Sequence, residues 1–199
     1  MSVRHCGTVP LATDRLLLRR FRIDDAPQMF QNWAGDPAVT AFLSWAAHRT
    51  PEDTHRILCE WVTAYQRFDF YTWAVVRRED NALMGSISLY NINGYADSCE
   101  AGYCLGREFW GGGYAAEALR AILDLCFAMG FVRISAKHDP DNPHSGRVMQ
   151  KAGMQKEGIM RRAVKAPDGR YRAMVLYAAT QESALDADGR LLCPAKEDA

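Results

Sequence analysis

The segment best suited to chemistry is the glycine-rich run Trp110-Gly111-Gly112-Gly113-Tyr114-Ala115. Glycine has no Cβ, so its backbone N–H groups can turn inward, and a pattern of helical spacing begins directly after the run. The first turn of a helix carries unsatisfied N–H donors and a partial positive charge. Together these features predict a binding site for a phosphate group.

Two nucleotide-binding motifs have to be weighed against this interpretation. The P-loop is excluded because no Gly-Lys-Ser/Thr follows the run. The dinucleotide fingerprint fits the spacing Gly111-x-Gly113-x-x-Ala116, with Asp139 roughly 20 residues further on. A doubly wound fold needs more strand–helix units, however, and only a short helix and a hairpin remain. Judged from the glycine-rich run alone, a loop that binds no ligand remains an alternative.

The elements that position the run are those of an α/β domain. Glu100–Leu105 reads as a strand, and apolar residues recur at helical spacing over Ala115–Met129 until Gly130 supplies a left-handed stop. Strand character resumes at Phe131–Lys137. The run therefore connects a strand to a helix.

Similar signals predict the remaining elements. Thr50 and Pro51 are typical of a helix start, as N-cap and first helical residue, and Asn142 and Pro143 repeat the pattern. The other predicted elements are strands at Arg15–Phe21, Tyr71–Arg77 and Leu83–Tyr90, helices from Asp24 to Trp33, Thr50 to Arg67 and Asn142 to Gly153, and a hairpin of Gly158–Val164 and Tyr171–Ala179 turning at Pro167-Asp168-Gly169.

Length and charge indicate one domain with no general attraction for polyanions. The chain has 199 residues, of which 48% are apolar, and its 24 Lys and Arg equal its 24 Asp and Glu. We expect a domain over residues 11–180, a flexible tail over residues 181–199, and neither nucleic acid nor membrane as partner. No signal-peptide core or membrane span is evident, which predicts a cytoplasmic protein.

Metal and disulfide chemistry are not expected. The six cysteines are dispersed, and none forms a Cys-x-x-Cys pair, so reduced thiols are predicted and structural zinc is not. His138, Asp139, Asp141 and His144 lie close together in sequence, but their spacing fits no established metal site.

The order of these motifs resembles the core of the GNAT superfamily of N-acetyltransferases. The residues that carry it are the W-G-x-G-Y-A turn, then Asn142-x-x-Ser145 and Lys151-Ala152-Gly153-Met154. The turn matches the family consensus [QR]-x-x-G-x-[GA] with Trp in the first place. The opening residues 13–19 (TDRLLLR) resemble the branch that includes the ribosomal-protein N-terminal acetyltransferases. The resemblance implies a single-domain GNAT-type α/β fold, with a mixed central sheet, splayed strands and flanking helices.

The resemblance also implies acetyl-CoA as co-substrate. Backbone amides would bind its pyrophosphate, and the end of the preceding strand would pair with its pantetheine as with an extra strand. Asn142, which also reads as a plain helix cap, and Ser145 fall where the family places polar side chains near the thioester and pantetheine. The implied cofactor-binding residues are therefore Tyr103, Cys104, Leu105, Gly111, Gly112, Gly113, Tyr114, Ala115, Ala116, Asn142 and Ser145.

Glu100 and Ser145 are the catalytic candidates. In several family members a carboxylate on the corresponding strand is the general base, so Glu100 is expected to deprotonate the amine, although a solvated strand-end charge is the alternative. Some members protonate the thiolate with a Tyr at the position of Met149, which leaves Ser145 as the acid, with Tyr114 and Tyr177 as weaker candidates.

The acceptor is predicted to be a primary amine, either a protein N-terminal α-amine or a small-molecule amine. An α-amine loses its proton more easily than a lysine, so a modest base suffices for it. The alternative function is a non-catalytic acyl-CoA-binding or regulatory module. Cys104 is expected to pack in the strand rather than to act as a nucleophile. The oligomeric state is open, with a homodimer among the options.

Overall fold

A mixed sheet forms the centre of the molecule, which we describe from a computed structural model covering residues 3–165 and 169–181. Within these residues eight strands lie in the order β1-β2-β3-β4-β5-β6-β8-β7. Each neighbouring pair is antiparallel except β5 and β6, which are parallel. The strands are β1 (Leu11–Ala12), β2 (Leu16–Arg19), β3 (Tyr71–Arg77), β4 (Leu83–Asn93), β5 (Ser98–Leu105), β6 (Arg133–His138), β7 (Gln155–Lys165) and β8 (Tyr171–Thr180).

Helices cover both faces of this sheet. They are α1 (Ala26–Met29), α2 (Pro37–Thr40), α3 (Pro51–Ala64), α4 (Tyr114–Met129) and α5 (Pro143–Lys151). One apolar cluster joins a sheet face to α4 and α5, and a second joins the other face to α1 and α3. The predicted α/β fold with flanking helices is confirmed.

The predicted start of α3 and the predicted end of α4 are confirmed. The Thr50 hydroxyl accepts a hydrogen bond from the Asp53 N–H at 3.3 Å, and Pro51 is the first residue of α3. Gly130 ends α4 with φ of 98° in the left-handed region, where glycine carries no Cβ penalty.

The predicted helix from Asp24 to Trp33 is wrong in detail. The segment consists of a 3₁₀ turn (Ile23–Asp25), the short α1, and a π-helical turn (Phe30–Ala34). Asp24 was expected to cap the helix, but the Asp25 carboxylate accepts from the Arg22 N–H at 2.8 Å and pairs with the Arg19 guanidinium at 2.7 Å. Asp25 in place of Asp24 therefore caps the start of this segment, and the same carboxylate pairs with β2.

Smaller differences concern short elements and strand ends. β1 and α2 were not predicted because two and four residues are too few to show a period. β5 and β7 begin earlier than expected, at Ser98 and Gln155. Residues 166–168, where most of the predicted hairpin turn falls, and residues 182–199 of the predicted tail lie outside the described residues.

Cys6, Cys59, Cys99, Cys104 and Cys126 are free thiols, and Cys193 lies outside the described residues. Across the described ranges no helix is long and apolar enough to cross a membrane.

Candidate active site

The sheet opens where β5 and β6 separate. The two strands pair only from Ser98–Glu100 to Arg133–Ser135. Beyond these residues β5 continues along β4 and β6 continues along β8. The predicted splayed strands are thus present, and the β6-facing edge of the second half of β5 is placed to pair with an extended ligand.

A cavity of about 160 Å³ lies in this opening. Tyr103, Asn142 and Ser145, three of the predicted site residues, line it, and so does Met149 of α5. Its other walls come from β4, from the loop after α2, from the end of β6 and from the β7–β8 hairpin; they include Tyr90, Phe42, Leu43, Ser44, Lys137, His138, Asp139, Val164, Arg172 and Met174.

Ser145 is held by its neighbours with its hydroxyl at the cavity. The Asn142 side-chain oxygen accepts from the Ser145 N–H at 3.4 Å, which makes Asn142 the N-cap of α5. The Tyr103 hydroxyl donates to the Ser145 carbonyl at 2.8 Å and lies 2.9 Å from Ser145 Oγ. Because the single O–H of Tyr103 already donates to the carbonyl, the Ser145 hydroxyl is the donor in the second contact.

Burial raises the pKa of the Tyr103 hydroxyl, and the hydrogen bond with Ser145 only partly offsets this effect. Tyr103 therefore stays protonated at neutral pH and keeps the Ser145 backbone in place.

Glu100 lies at the last paired position before the opening, but three donors already occupy its carboxylate. The Lys137 ammonium approaches Oε1 at 2.8 Å, the Tyr90 hydroxyl donates at 3.0 Å, and the Asn91 amide donates at 3.1 Å. Glu100 is 9% exposed. Its partners Tyr90 and Lys137 line the cavity. The alternative of a solvated strand-end charge is wrong, since Glu100 is a buried, paired carboxylate.

The glycine-rich run forms the turn predicted for it. Gly111 and Gly113 have φ of 81° and 80°, in the left-handed region that favours glycine, and Gly113 is the N-cap of α4. The first intrahelical bond joins the Glu117 N–H to the Gly113 carbonyl at 3.1 Å, so earlier N–H groups of α4 lack an intrahelical acceptor.

The space around this turn fits an anionic group. A Cβ built at Gly111 meets nothing within 4 Å, so the backbone there is open. The six residues from Glu100 to Leu105 span about 16 Å of extended chain between the cavity and the turn. Trp110 braces this path, because its indole N–H donates to the Leu105 carbonyl at 2.7 Å. The arrangement suits an elongated molecule with a phosphate end at the turn and a reactive end in the cavity.

Several candidate side chains have structural roles. Cys104 packs against the second apolar cluster, with Sγ 3.3 Å from Ser86 Oγ, and burial raises the pKa of its thiol, which fits the predicted packing role. Tyr177 is buried beside His138 with ring centroids 5.7 Å apart. Tyr114 lies under the Arg15 guanidinium at 4.5 Å.

The residues between β6 and α5 hold their own loop together. His138 Nδ1 donates to the Asp139 carbonyl at 2.8 Å, and the Asp139 carboxylate accepts from the Asp141 N–H at 2.9 Å and from Arg172 at 3.3 Å. In residues 3–165 and 169–181, no group of three or more His, Cys, Asp or Glu side chains is arranged to hold a metal ion.

Sequence reasoning missed Tyr90 and Lys137 at the cavity and Arg15 at the turn. The one sequence signal that could have indicated Tyr90 and Lys137 is that each is the last residue of a predicted strand. The position of Arg172 at the cavity depends on a tertiary contact, because its guanidinium donates to the Ala41 carbonyl at 3.4 Å, across 131 residues.

Comparisons with known proteins agree with this geometry. The family described as the acetyltransferase (GNAT) domain matches residues 15–155. An uncharacterised N-acetyltransferase of Bacillus subtilis, YoaA, is 31% identical over 152 residues, covering 76% of this chain and 85% of the relative. The [ribosomal protein uS5]-alanine N-acetyltransferase of Escherichia coli is 26% identical over 182 residues, covering 86% and 91%. The crystal structure of a GNAT-family acetyltransferase from Bacillus anthracis superposes with a TM-score of 0.77 at 26% identity, covering 87% and 99%.

Proposed function

Because this chain belongs to the GNAT acetyltransferase family, we propose that it transfers the acetyl group of acetyl-CoA to a protein N-terminal α-amine. The activity of the family, acetyl-CoA-dependent N-acetyl transfer, is the activity of this enzyme. The acceptor is the proposed part. A relative that covers 86% of the chain is named a [ribosomal protein uS5]-alanine N-acetyltransferase, which supports an α-amine.

We propose that the glycine turn and the second half of β5 hold the cofactor. The backbone N–H groups from Gly111 to Ala116 would bind the pyrophosphate, since left-handed glycines and a helix N-terminus lie together there. The free edge at Tyr103, Cys104 and Leu105 would bind the pantetheine amides, with Asn142 and Ser145 on the opposite wall. When bound, acetyl-CoA supplies a thioester whose acetyl group can accept an amine.

Two side chains are proposed to handle the protons. Glu100 would accept the proton of the amine through one water, because its partners Tyr90 and Lys137 line the cavity while its carboxylate lies behind them. The Ser145 hydroxyl, at the cavity wall, would turn from Tyr103 to protonate the departing thiolate. The observation that carries the proposal is the cavity at the separation of β5 and β6, which Ser145 lines directly and Glu100 reaches through its partners Tyr90 and Lys137.

The experiment measures thiol release from acetyl-CoA with a panel of acceptors. A short peptide with a free α-amine and no lysine is expected to be acetylated, whereas the same peptide with a blocked N-terminus is expected to be inert. Small amines, namely amino acids and polyamines, form the second arm. Faster turnover with those than with every free peptide would replace the protein acceptor by a small molecule.

A further inference from the structure

We infer that Arg15 positions the cofactor turn for the pyrophosphate of acetyl-CoA. This inference rests on the pyrophosphate assignment made in the proposed function. Arg15 precedes β2 by one residue, 97 positions from the turn, and its guanidinium lies directly against it.

The contacts of Arg15 bridge two parts of the turn. Nη1 donates to the Gly112 carbonyl at 3.0 Å, which ties down the peptide before the left-handed Gly113. Nε and Nη2 contact one carboxylate oxygen of Glu117 at 2.7 and 2.6 Å. The guanidinium also lies over the Tyr114 ring at 4.5 Å. A planar, five-donor group can make all of these contacts at once, and an ammonium cannot.

Glu117 explains why a cation is needed at this place. It lies in the first turn of α4, close to the N–H groups that would receive a pyrophosphate, and a bare carboxylate there would repel the anion. Burial tends to raise the pKa of Glu117, but hydrogen bonds from Thr13 and Arg15 outweigh this effect and lower that pKa. The carboxylate is therefore charged, and its oxygens are turned to Arg15 and to the Thr13 hydroxyl, which donates at 2.6 Å.

A surface ion pair alone would not support this inference, because exposed pairs commonly contribute little. Here Glu117 is 19% exposed and also accepts from the Arg15 backbone N–H at 3.0 Å, so the carboxylate is fixed by both backbone and side chain. Arg15 acts through the turn and is a positioning residue.

The test compares Arg15→Gln with wild type on two acetyl donors, acetyl-CoA and acetyl-pantetheine, which lacks the pyrophosphate. Losing the charged contacts to the turn should raise KM for acetyl-CoA about tenfold and change kcat by less than about twofold. KM for acetyl-pantetheine should not change. Arg15→Lys, which keeps the charge and loses the fork, should fall between Gln and wild type.

Arg78→Gln is the matched control. Arg78 donates to the Thr13 and Asp14 carbonyls at 2.7 and 3.2 Å, beside Arg15, whereas the contacts to Gly112 and Glu117 are those of Arg15 and Thr13, so removing the Arg78 side chain should leave both KM values unchanged. An unchanged KM for acetyl-CoA in Arg15→Gln, or an equal rise for both donors, would overturn the role of Arg15. If wild type uses the two donors equally well, the turn does not bind the pyrophosphate, and the proposed cofactor site is wrong together with this inference. A melting curve for each variant shows whether it is folded under the assay conditions, so that a folding defect is not mistaken for a change in KM.

Discussion

Replacing Glu100 by Gln tests the proposed general base against a purely structural role. The carboxylate oxygens accept from Tyr90, Asn91 and Lys137, so every contact is with a donor. The Gln amide keeps one acceptor oxygen and places an NH₂ group where the other oxygen was. The variant therefore loses the ion pair and sets a donor against a donor.

This geometry predicts a moderate loss of stability. Hydrogen bonds to charged groups contribute about 1.5–3 kcal/mol, and the Lys137 side chain, 24% exposed, can regain water, so we expect a value near the lower end. For a chain of this size about 1.5 kcal/mol lowers Tm by roughly 3–6 °C. Such a loss leaves nearly all molecules folded at 25 °C and cannot by itself slow turnover.

Loss of a general base should have a much larger effect on rate. Removing one typically costs ~10²–10⁴-fold, and we expect kcat to fall at least about tenfold near neutral pH. The deficit should shrink with rising pH, because an α-amine, with a reference pKa of about 7.7–8.0, then loses its proton unaided. The assay measures thiol release at saturating acetyl-CoA and peptide. It covers about pH 6–9, which brackets the pKa of the α-amine, and each variant also gets a melting curve.

Lys137→Gln is the control, since it breaks the same ion pair and keeps the carboxylate. It should lower Tm by a similar amount with a much smaller fall in kcat. The base assignment is refuted if Glu100→Gln melts lower but keeps the wild-type kcat and pH profile, because Glu100 would then serve only to hold Tyr90 and Lys137.

Three further predictions address the cofactor and the proton donor. Acetyl-CoA at a hundredfold excess over Kd should stabilise the fold by ~2.7 kcal/mol, and an unmoved melting curve would contradict binding to the native state. Gly113→Val should abolish acetyl-CoA binding in calorimetry, because a branched side chain would crowd the pyrophosphate and resists φ of 80°, which costs an L-residue about 1–2 kcal/mol. In the control Gly94→Val a Cβ meets nothing within 4 Å, so this variant should bind as wild type does. Ser145→Ala should lower kcat about tenfold or more, with a much smaller effect on acetyl-CoA affinity, and an unchanged kcat would show that another group protonates the thiolate.

Local signals predicted the elements around the site because each is encoded within a few residues. The cap at Thr50 and Pro51, the stop at Gly130 and the turn at Gly111–Gly113 depend on backbone conformation and on nearby hydrogen bonds. The helix after Asp24 was not predicted correctly, since the capping carboxylate is that of Asp25, which also pairs with Arg19 of β2.

The sequence by itself determined the strand–turn–helix unit with its left-handed glycines, the apolar periods that cover both faces of the sheet, and the resemblance that led to the family. Only the tertiary structure decided what surrounds Glu100, because Lys137 pairs with it from 37 residues away and no local period records such a contact. It likewise decided that β5 and β6 part after Glu100 and Ser135 and leave a cavity between them. The separation of two strands and the partner of a buried charge arise from packing across the whole sheet, and for that reason they appear only when the chain is folded.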